Sequence, residues 1–367
     1  MRIALDGMSA LRAWRNIRSG MAPKARIGRR EDLFEPDPSP YKRWCSRAFD
    51  LGFLGFGDEF NEKSPLEIVV PSASLRIRTR GVHCAVYSTL PPRSFVDVGN
   101  GVLLASPELL FVEMGERMSP AVQLLLGHEL CGTFSRSAQS PRDGEVTFGV
   151  HPLTTASAIR EYANSCRYLR GVEQARIVAG LLYGNAWSPM EAIVATLLAL
   201  GPEDFGYDMG ELVLNPRVAT AGGRASRVPD ILFSGTHVGI NYDGDPHFLS
   251  RDTMVEDKRR DRELMCAGYS VLPVTIEDLH ENGALDEVVL QALGLIERET
   301  GQCFDDKRAL LTHKQIATRR QKLIRSLLPG RWAAELSRQI DAEPSPSPSL
   351  EVARGLILED GVHWGGN

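Results

Sequence analysis

The apolar positions change period along the chain, and each change marks an element. Ile3-Ala4-Leu5 is an unbroken apolar run, read as a short strand. Leu11, Trp14 and Ile17 then recur at helical spacing, which predicts a helix over 9–18. From 66 to 104 the pattern shortens to strands at 66–70, 82–87, 94–98 and 101–104. The segment 75–78 is the expected partner of 82–87, and Asn100-Gly101 is a turn. Ser106-Pro107 opens a helix to Gly115, and a second helix is expected over 120–132. The stretch 153–183 reads as helical and as leading into the domain that begins near 181. Ser188-Pro189-Met190-Glu191 has the N-cap, N1 and N3 residues of a capping box and starts an apolar helix to about Leu200. A strand is expected over 209–218. Two further runs, 231–233 and 238–242, meet at Ser234-Gly235 as a β-hairpin. A helix over 252–267 stops at Gly268, a strand fills 270–274, and 283–299 carries Leu285, Val288, Val289, Ala292, Leu293 and Ile296 on one face. This mixture is an α/β fold class.

Length adds that 367 residues make two or three domains. The expected divisions are a helical and linker segment 1–64, an α+β domain 65–180, a third domain 181–301, a basic helical extension 302–342 and a flexible Pro-Ser tail 343–367. The formal charge of −5 and pI near 6.0 exclude a protein that coats nucleic acid without specificity. Two stretches depart from that balance. Residues 7–30 hold seven basic residues and no acid, and 305–328 holds Lys307, Arg308, Lys314, Arg319, Arg320, Lys322 and Arg325. Each is either a solvated face or a phosphate-contacting surface. The six cysteines are scattered without a C-x-x-C pair, as expected of reduced thiols rather than a disulfide or zinc framework. No apolar run reaches membrane-span length and no secretory leader is visible, so a cytoplasmic location and no membrane partner are expected. His83 and His128 stand in apolar contexts and are expected to be packed histidines.

Candidate chemistry concentrates around the hairpin. Asp230 begins one strand, and Asn241, Tyr242 and Asp243 end the strand that faces it. A carboxylate there with oxygen donors opposite is how a hard divalent cation is held, Mg²⁺ needing one or two carboxylates and water or phosphate for the rest. Asp230 otherwise caps backbone N–H groups, and Asp243-Gly244 is equally a turn pair. His247 is a general base on water or a surface-loop histidine. Arg260 contacts phosphate or pairs with Glu256 on its own helix. Arg224 and Arg227 are delivered to the hairpin by the turn at 221–223.

The ordered set Pro229-Asp230, Asn241-Tyr242-Asp243-Gly244, His247, Asp257, Arg260, Leu264, Gly268 and the strand 271–274 resembles the PD-(D/E)XK nuclease superfamily, in its very-short-patch-repair-like branch. The resemblance spans 183–301. It implies a restriction-endonuclease-like core, a mixed sheet flanked by helices, behind an α+β N-terminal region. It further implies DNA as partner, Mg²⁺ as cofactor, and phosphodiester hydrolysis by metal-activated water. Asp230, Asn241 and Asp243 are then the metal positions. Glu191 matches an acidic helix residue beside the metal, with Asp230, Asp243 and His247 catalytic, and Arg227 and Arg260 on nucleic acid. One departure matters: the family's glutamate falls at Asn241, an uncharged ligand, so Mg²⁺ affinity is expected to drop and cleavage to be weakened or lost. The alternative is a catalytically inactive nucleic-acid-binding or regulatory protein of defence or toxin–antitoxin type.

Overall fold

The computed structural model describes residues 2–32, 51–57, 60–219, 226–244 and 251–330, without the side chains of 226–227 and 251–257. The chain divides into two compact units, Met1–Gly184 and Asn185–Asn367. Among the described residues no helix is long and apolar enough to cross a membrane.

The first unit is built on a six-stranded mixed sheet. Strand β1 (Ile3–Leu5) lies inside it, between parallel β6 (Val102–Ala105) and antiparallel β3 (Leu66–Val70). Residues of the expected segment 1–64 therefore share one core with 65–180. Strand β4 (Val82–Val86) runs parallel to β3, and β5 (Phe95–Gly99) with β2 (Arg30–Glu31) extends the opposite side. The 75–78 partner expected for β4 does not form; 73–75 is a turn of 3₁₀ helix. β3 is buried along its whole length, and β4 covers its second edge. Asn100 and Gly101 both have positive φ, 54° and 75°, as a two-residue hairpin between β5 and β6 requires.

Helix α1 (Gly7–Arg18) packs on β3 and β6, and Trp14 Nε1 donates to Ala105 O at 2.9 Å. Helices α2 (Pro107–Met114), α3 (Pro120–Cys131), α4 (Ala156–Ser165) and α5 (Val172–Gly180) pack together. Between α3 and α4, β7 (Phe134–Ser135) and β8 (Thr147–Phe148) form a short antiparallel ribbon. The stretch 153–183 thus completes this unit's core instead of leading into the next. α2 is buried on every side, so its two acids need internal partners. Part of the basic stretch supplies internal partners, while Lys24, Arg26 and Arg29 stay exposed. Arg30 grips Glu108 with bonds of 2.7 and 2.8 Å, and Arg15 grips Glu129 on α3 with bonds of 2.8 and 2.7 Å. Arg18 donates to the carbonyls of Glu129 and Gly132 at the end of α3. These three cations face inward, as neither a solvated face nor a phosphate surface would. His128 is packed as expected: it is buried, its Nδ1 is 2.9 Å from Tyr183 O, and burial pushes it down to about 4. His83 instead stands exposed on β4.

The second unit opens with α6 (Pro189–Ala199), which packs on β9 (Leu212–Leu214) and β13 (Val238–Tyr242). β9, β12 (Ile231–Phe233) and β13 are antiparallel neighbours. Helix α7 (Arg251–Cys266) then crosses over to β14 (Ser270–Val274), parallel to β13. The expected strand 209–218 is broken at Asn215. Its second piece, β10 (Val218–Ala219), pairs with β11 (Ser226–Arg227) in a separate ribbon. β14 is a sheet edge. Ser270 N donates to His237 O and Val274 O accepts from Asp243 N, so residues of that parity face β13. Pro273, of the other parity, turns its nitrogen outward, where a missing N–H blocks further strand pairing.

Helix α8 (Ile276–His280) leads to α9 (Ala284–Thr300), which buries Leu285, Val289, Ala292, Leu293 and Ile296 and packs on β13 and β14. The basic extension is two helices, α10 (Asp305–Thr312) and α11 (Lys314–Leu327), and α10 packs on α9 within this unit. Three of its seven cations are tied inward. Lys307 pairs with Asp208, Arg308 with Glu297, and Arg320 is 1% exposed against Asp286. The expected tail 343–367 lies outside the described residues.

Candidate acidic site at the end of the hairpin

Asp230 is placed by three backbone contacts. Its N–H donates to Asn241 Oδ1 at 3.0 Å, its carbonyl accepts from Asn215 N at 2.8 Å, and its Oδ2 accepts from Tyr242 N at 2.7 Å. The first two lock the strand start between β9 and β13. The third anchors the carboxylate on the neighbouring strand. The side chain of Asn241 is therefore a brace. It is 3% exposed, and the amide oxygen that sequence offered as a metal ligand accepts from a backbone N–H.

Glu191 is buried at N3 of α6. Ser188 Oγ accepts from Glu191 N at 3.1 Å, as expected of the N-cap. The reciprocal bond shifts by one residue: Glu191 Oε2 accepts from Trp187 N at 2.9 Å rather than from the N-cap. Ser188→Ala is expected to lower stability by about 1 kcal/mol, read by urea unfolding. Glu191 Oε2 also accepts from Asn215 Nδ2 at 2.9 Å. Asn215 thus bridges Glu191 and Asp230, one through its side chain and the other through its N–H. It does so from a left-handed backbone, φ 49°. Asn185, φ 73°, supports it: the carbonyl of Asn185 accepts from Asn215 Nδ2, and Asn185 Nδ2 donates to Leu214 O. Neither asparagine stood out from the sequence. The signals were Gly184-Asn185 and Asn215-Pro216, pairs in which asparagine tolerates positive φ.

These contacts converge electrostatically on Asp230. Burial, then the Glu191 carboxylate, and more weakly Asp243, push its carboxyl up to about 7, against the Tyr242 N–H and the Arg260 guanidinium. Glu191, Asp243 and Arg260 therefore all act on the Asp230 carboxylate. Asp243, half-buried, follows β13 and donates its N–H to Val274 O at 2.8 Å, so its backbone continues the pairing with β14; the turn expected at Asp243-Gly244 involves residues outside the described ones. Together with Asn241, Leu264, Tyr269, Leu272 and Leu295 it lines a groove of about 410 Å³ beside β14. Arg260, half-buried on α7, lies 3.8 Å from Asp261. Arg227 is on β11, against which α7 packs. His247, Arg224 and the side chains of Arg227, Glu256 and Asp257 lie outside the described residues.

Among the described residues no three His, Cys, Asp or Glu side chains are grouped so as to enclose a metal ion. Mg²⁺ needs only one or two carboxylates, which Asp230 with Asp243 or Glu191 would supply; Asn241, 3% exposed and with one lone pair already holding Asp230 N, would add no charge. Comparisons of the chain with protein-family models, curated proteins and solved structures return no match.

Proposed function

We propose that the second unit is a PD-(D/E)XK-type, Mg²⁺-dependent DNA endonuclease-like module acting in the cytoplasm, with cleavage weakened by Asn241. The supporting observation is the Asp230 carboxyl, raised by burial and by acids from α6 and from the end of β13. The element order supports it too: a helix, three antiparallel strands, a crossover helix, then a parallel strand.

In this reading Asp230 and Asp243 hold the cation through carboxylate oxygens. Glu191, held through Oε2 by Trp187 N and Asn215 Nδ2, would keep its other oxygen for a water. Arg260 offsets negative charge beside Asp230. His247 is the base the sequence offers. The bound ion would supply activation of water and neutralisation of phosphodiester charge. Asn241 would contribute order but no charge, so affinity for the ion is expected to be low.

Titration calorimetry with Mg²⁺ and Mn²⁺, alongside nicking of supercoiled plasmid, tests the assignment. Wild type is expected to bind weakly, Asp230→Ala not at all, and Asn241→Glu more tightly, with at least tenfold more nicking. Absence of binding by both wild type and Asn241→Glu would sink the metal site. The second reading, a DNA-binding protein without hydrolysis, is favoured by the bond from Asp230 N to Asn241 Oδ1. It wins if DNA binds and Asn241→Glu binds metal without nicking.

A further inference from the structure

The first unit holds a second acidic cluster. Asp6 at the start of α1, Glu67 on β3 and Glu113 on α2 meet at the N-terminus of α1. Glu113 Oε2 accepts from Gly7 N at 3.1 Å, and Glu67 Oε2 accepts from Met8 N at 2.7 Å. Asp6, in the N-cap position, makes no side-chain cap bond. The helix is thus capped by two carboxylates from distant elements, and they crowd its first residue. Gly7 has φ 50°, and a Cβ there would sit 1.8 Å from Glu67 Oε2.

Arg117 is the guanidinium at the cluster, and its Nη1 donates to both oxygens of Glu67 at 2.8 and 2.7 Å. The Tyr87 phenol, beyond β4, and the Cys84 thiol on β4 are near enough to feel the charges of Glu113 and Asp6. Fully ionised, three carboxylates face one cation. Asp6 is 2% exposed and Glu113 6% exposed, yet Asp6 Oδ1 and Glu113 Oε1 are both buried without a hydrogen-bond partner. A buried charged oxygen with neither water nor donor is costly. A proton on such a carboxyl removes one charge and turns an acceptor into a donor.

We propose that the orphaned oxygens of Asp6 and Glu113 carry protons in the closed state, and that losing the one on Glu113 sets its charge against Glu67 and loosens the N-terminal turn of α1, making this cluster an alkaline-sensitive latch. The energetics agree in direction. Burial pushes Glu113 up to about 7, with Glu67 adding and Gly7 N–H, Tyr87 and Arg117 opposing. Asp6 is held well above its ordinary range by burial first, then by Glu113 and Glu67. A carboxyl raised in the folded state gives stability that is complete below the unfolded value and is lost as pH climbs through the folded one. For Glu113 that window runs from about pH 4.5 to about 7, and across its upper end, between about pH 6 and 8.5, the equilibrium favouring the closed turn falls about tenfold.

Asp230 in the other unit titrates in the same range, so the readout must be local. Amide exchange by mass spectrometry on the full chain, corrected for intrinsic base catalysis, follows the peptide spanning 3–14. Wild type is expected to lose about tenfold protection there between about pH 6 and 8.5. Glu113→Gln keeps an acceptor for Gly7 N and adds a permanent donor, so its protection should stay level. Glu67→Gln keeps an acceptor for Met8 N but removes the neighbouring charge that raises Glu113. It should shift the loss to lower pH, and it serves as the test if Glu113→Gln does not fold. Equal protection of wild type at both pH values, or an unchanged loss in the variants, overturns the latch.

Discussion

Asp230→Asn is expected to make the metal-free protein more stable at pH 8 while removing divalent-cation binding. The carboxyl is raised to about 7 by burial first and Glu191 second. An unfolded aspartate ionises near 3.8. The sign follows from linkage: this group's contribution is complete below about 3.8 and is lost as pH rises through about 7. At pH 8 the folded chain therefore carries a half-buried carboxylate near two further acids. Asparagine keeps an acceptor for Tyr242 N and discards the charge. A gain on the order of 1–3 kcal/mol is expected at pH 8, smaller at pH 5 and shrinking toward zero only near pH 3.8. Urea unfolding of wild type and variant at both pH values measures it. A variant weaker than wild type at pH 8, or a gain that ignores pH, would show that Asp230 is an ordinary strand-start aspartate. The contrast is physically informative because a group that destabilises its own fold is there for something other than the fold.

Arg320→Ala is expected to cost the second unit about 3–5 kcal/mol, the range for removing one partner of a buried ion pair. Arg320 Nη1 donates to Asp286 Oδ1 at 2.6 Å, its Nε donates to Phe205 O at 3.2 Å, and its guanidinium lies 4.3 Å from the centre of the Tyr207 ring. Tyr207 OH also donates to Asp286 Oδ1, at 2.7 Å. One side chain on α11 thus joins α9 to the segment after α6. Without it Asp286 keeps its charge and loses its cation. Arg320→Ala/Asp286→Asn should recover part of the loss, because the stranded charge goes with the second change. Denaturant midpoints of the single and double variants decide the matter. A cost under about 1 kcal/mol for the single change would mean the pair is a surface contact.

Much of the second unit was legible from residue order. Ser188-Pro189 for a helix start, Ser234-Gly235 for a hairpin and Gly268, φ 89°, for a helix end are local instructions that short-range sterics and hydrogen bonds execute alone. The opposition of Asp230 to 241–243 was legible too, since the hairpin itself sets it, whereas Glu191 was offered only by the resemblance. The role of Asn241 was not. Whether its amide oxygen faces a cation or Asp230 N depends on how β12 and β13 are registered, which no neighbour in sequence reveals. The asparagines at 185 and 215 stayed hidden for the same reason, being 30 residues apart and meaningful only in contact.

In the first unit the gap was wider. The basic stretch 7–30 gave no hint that Arg15 and Arg30 would turn inward, because their partners Glu129 and Glu108 lie 114 and 78 residues away. The acids themselves were visible as lone charges within apolar helices, and that was the available warning. By itself the sequence determined most helix starts and the hairpin, since periodicity and caps act within a few residues, but not the break at Asn215 or the loss of the 75–78 strand. Only the tertiary structure decided which charges are buried together, since the energy of a buried carboxylate depends on neighbours that chain folding brings from far along the sequence.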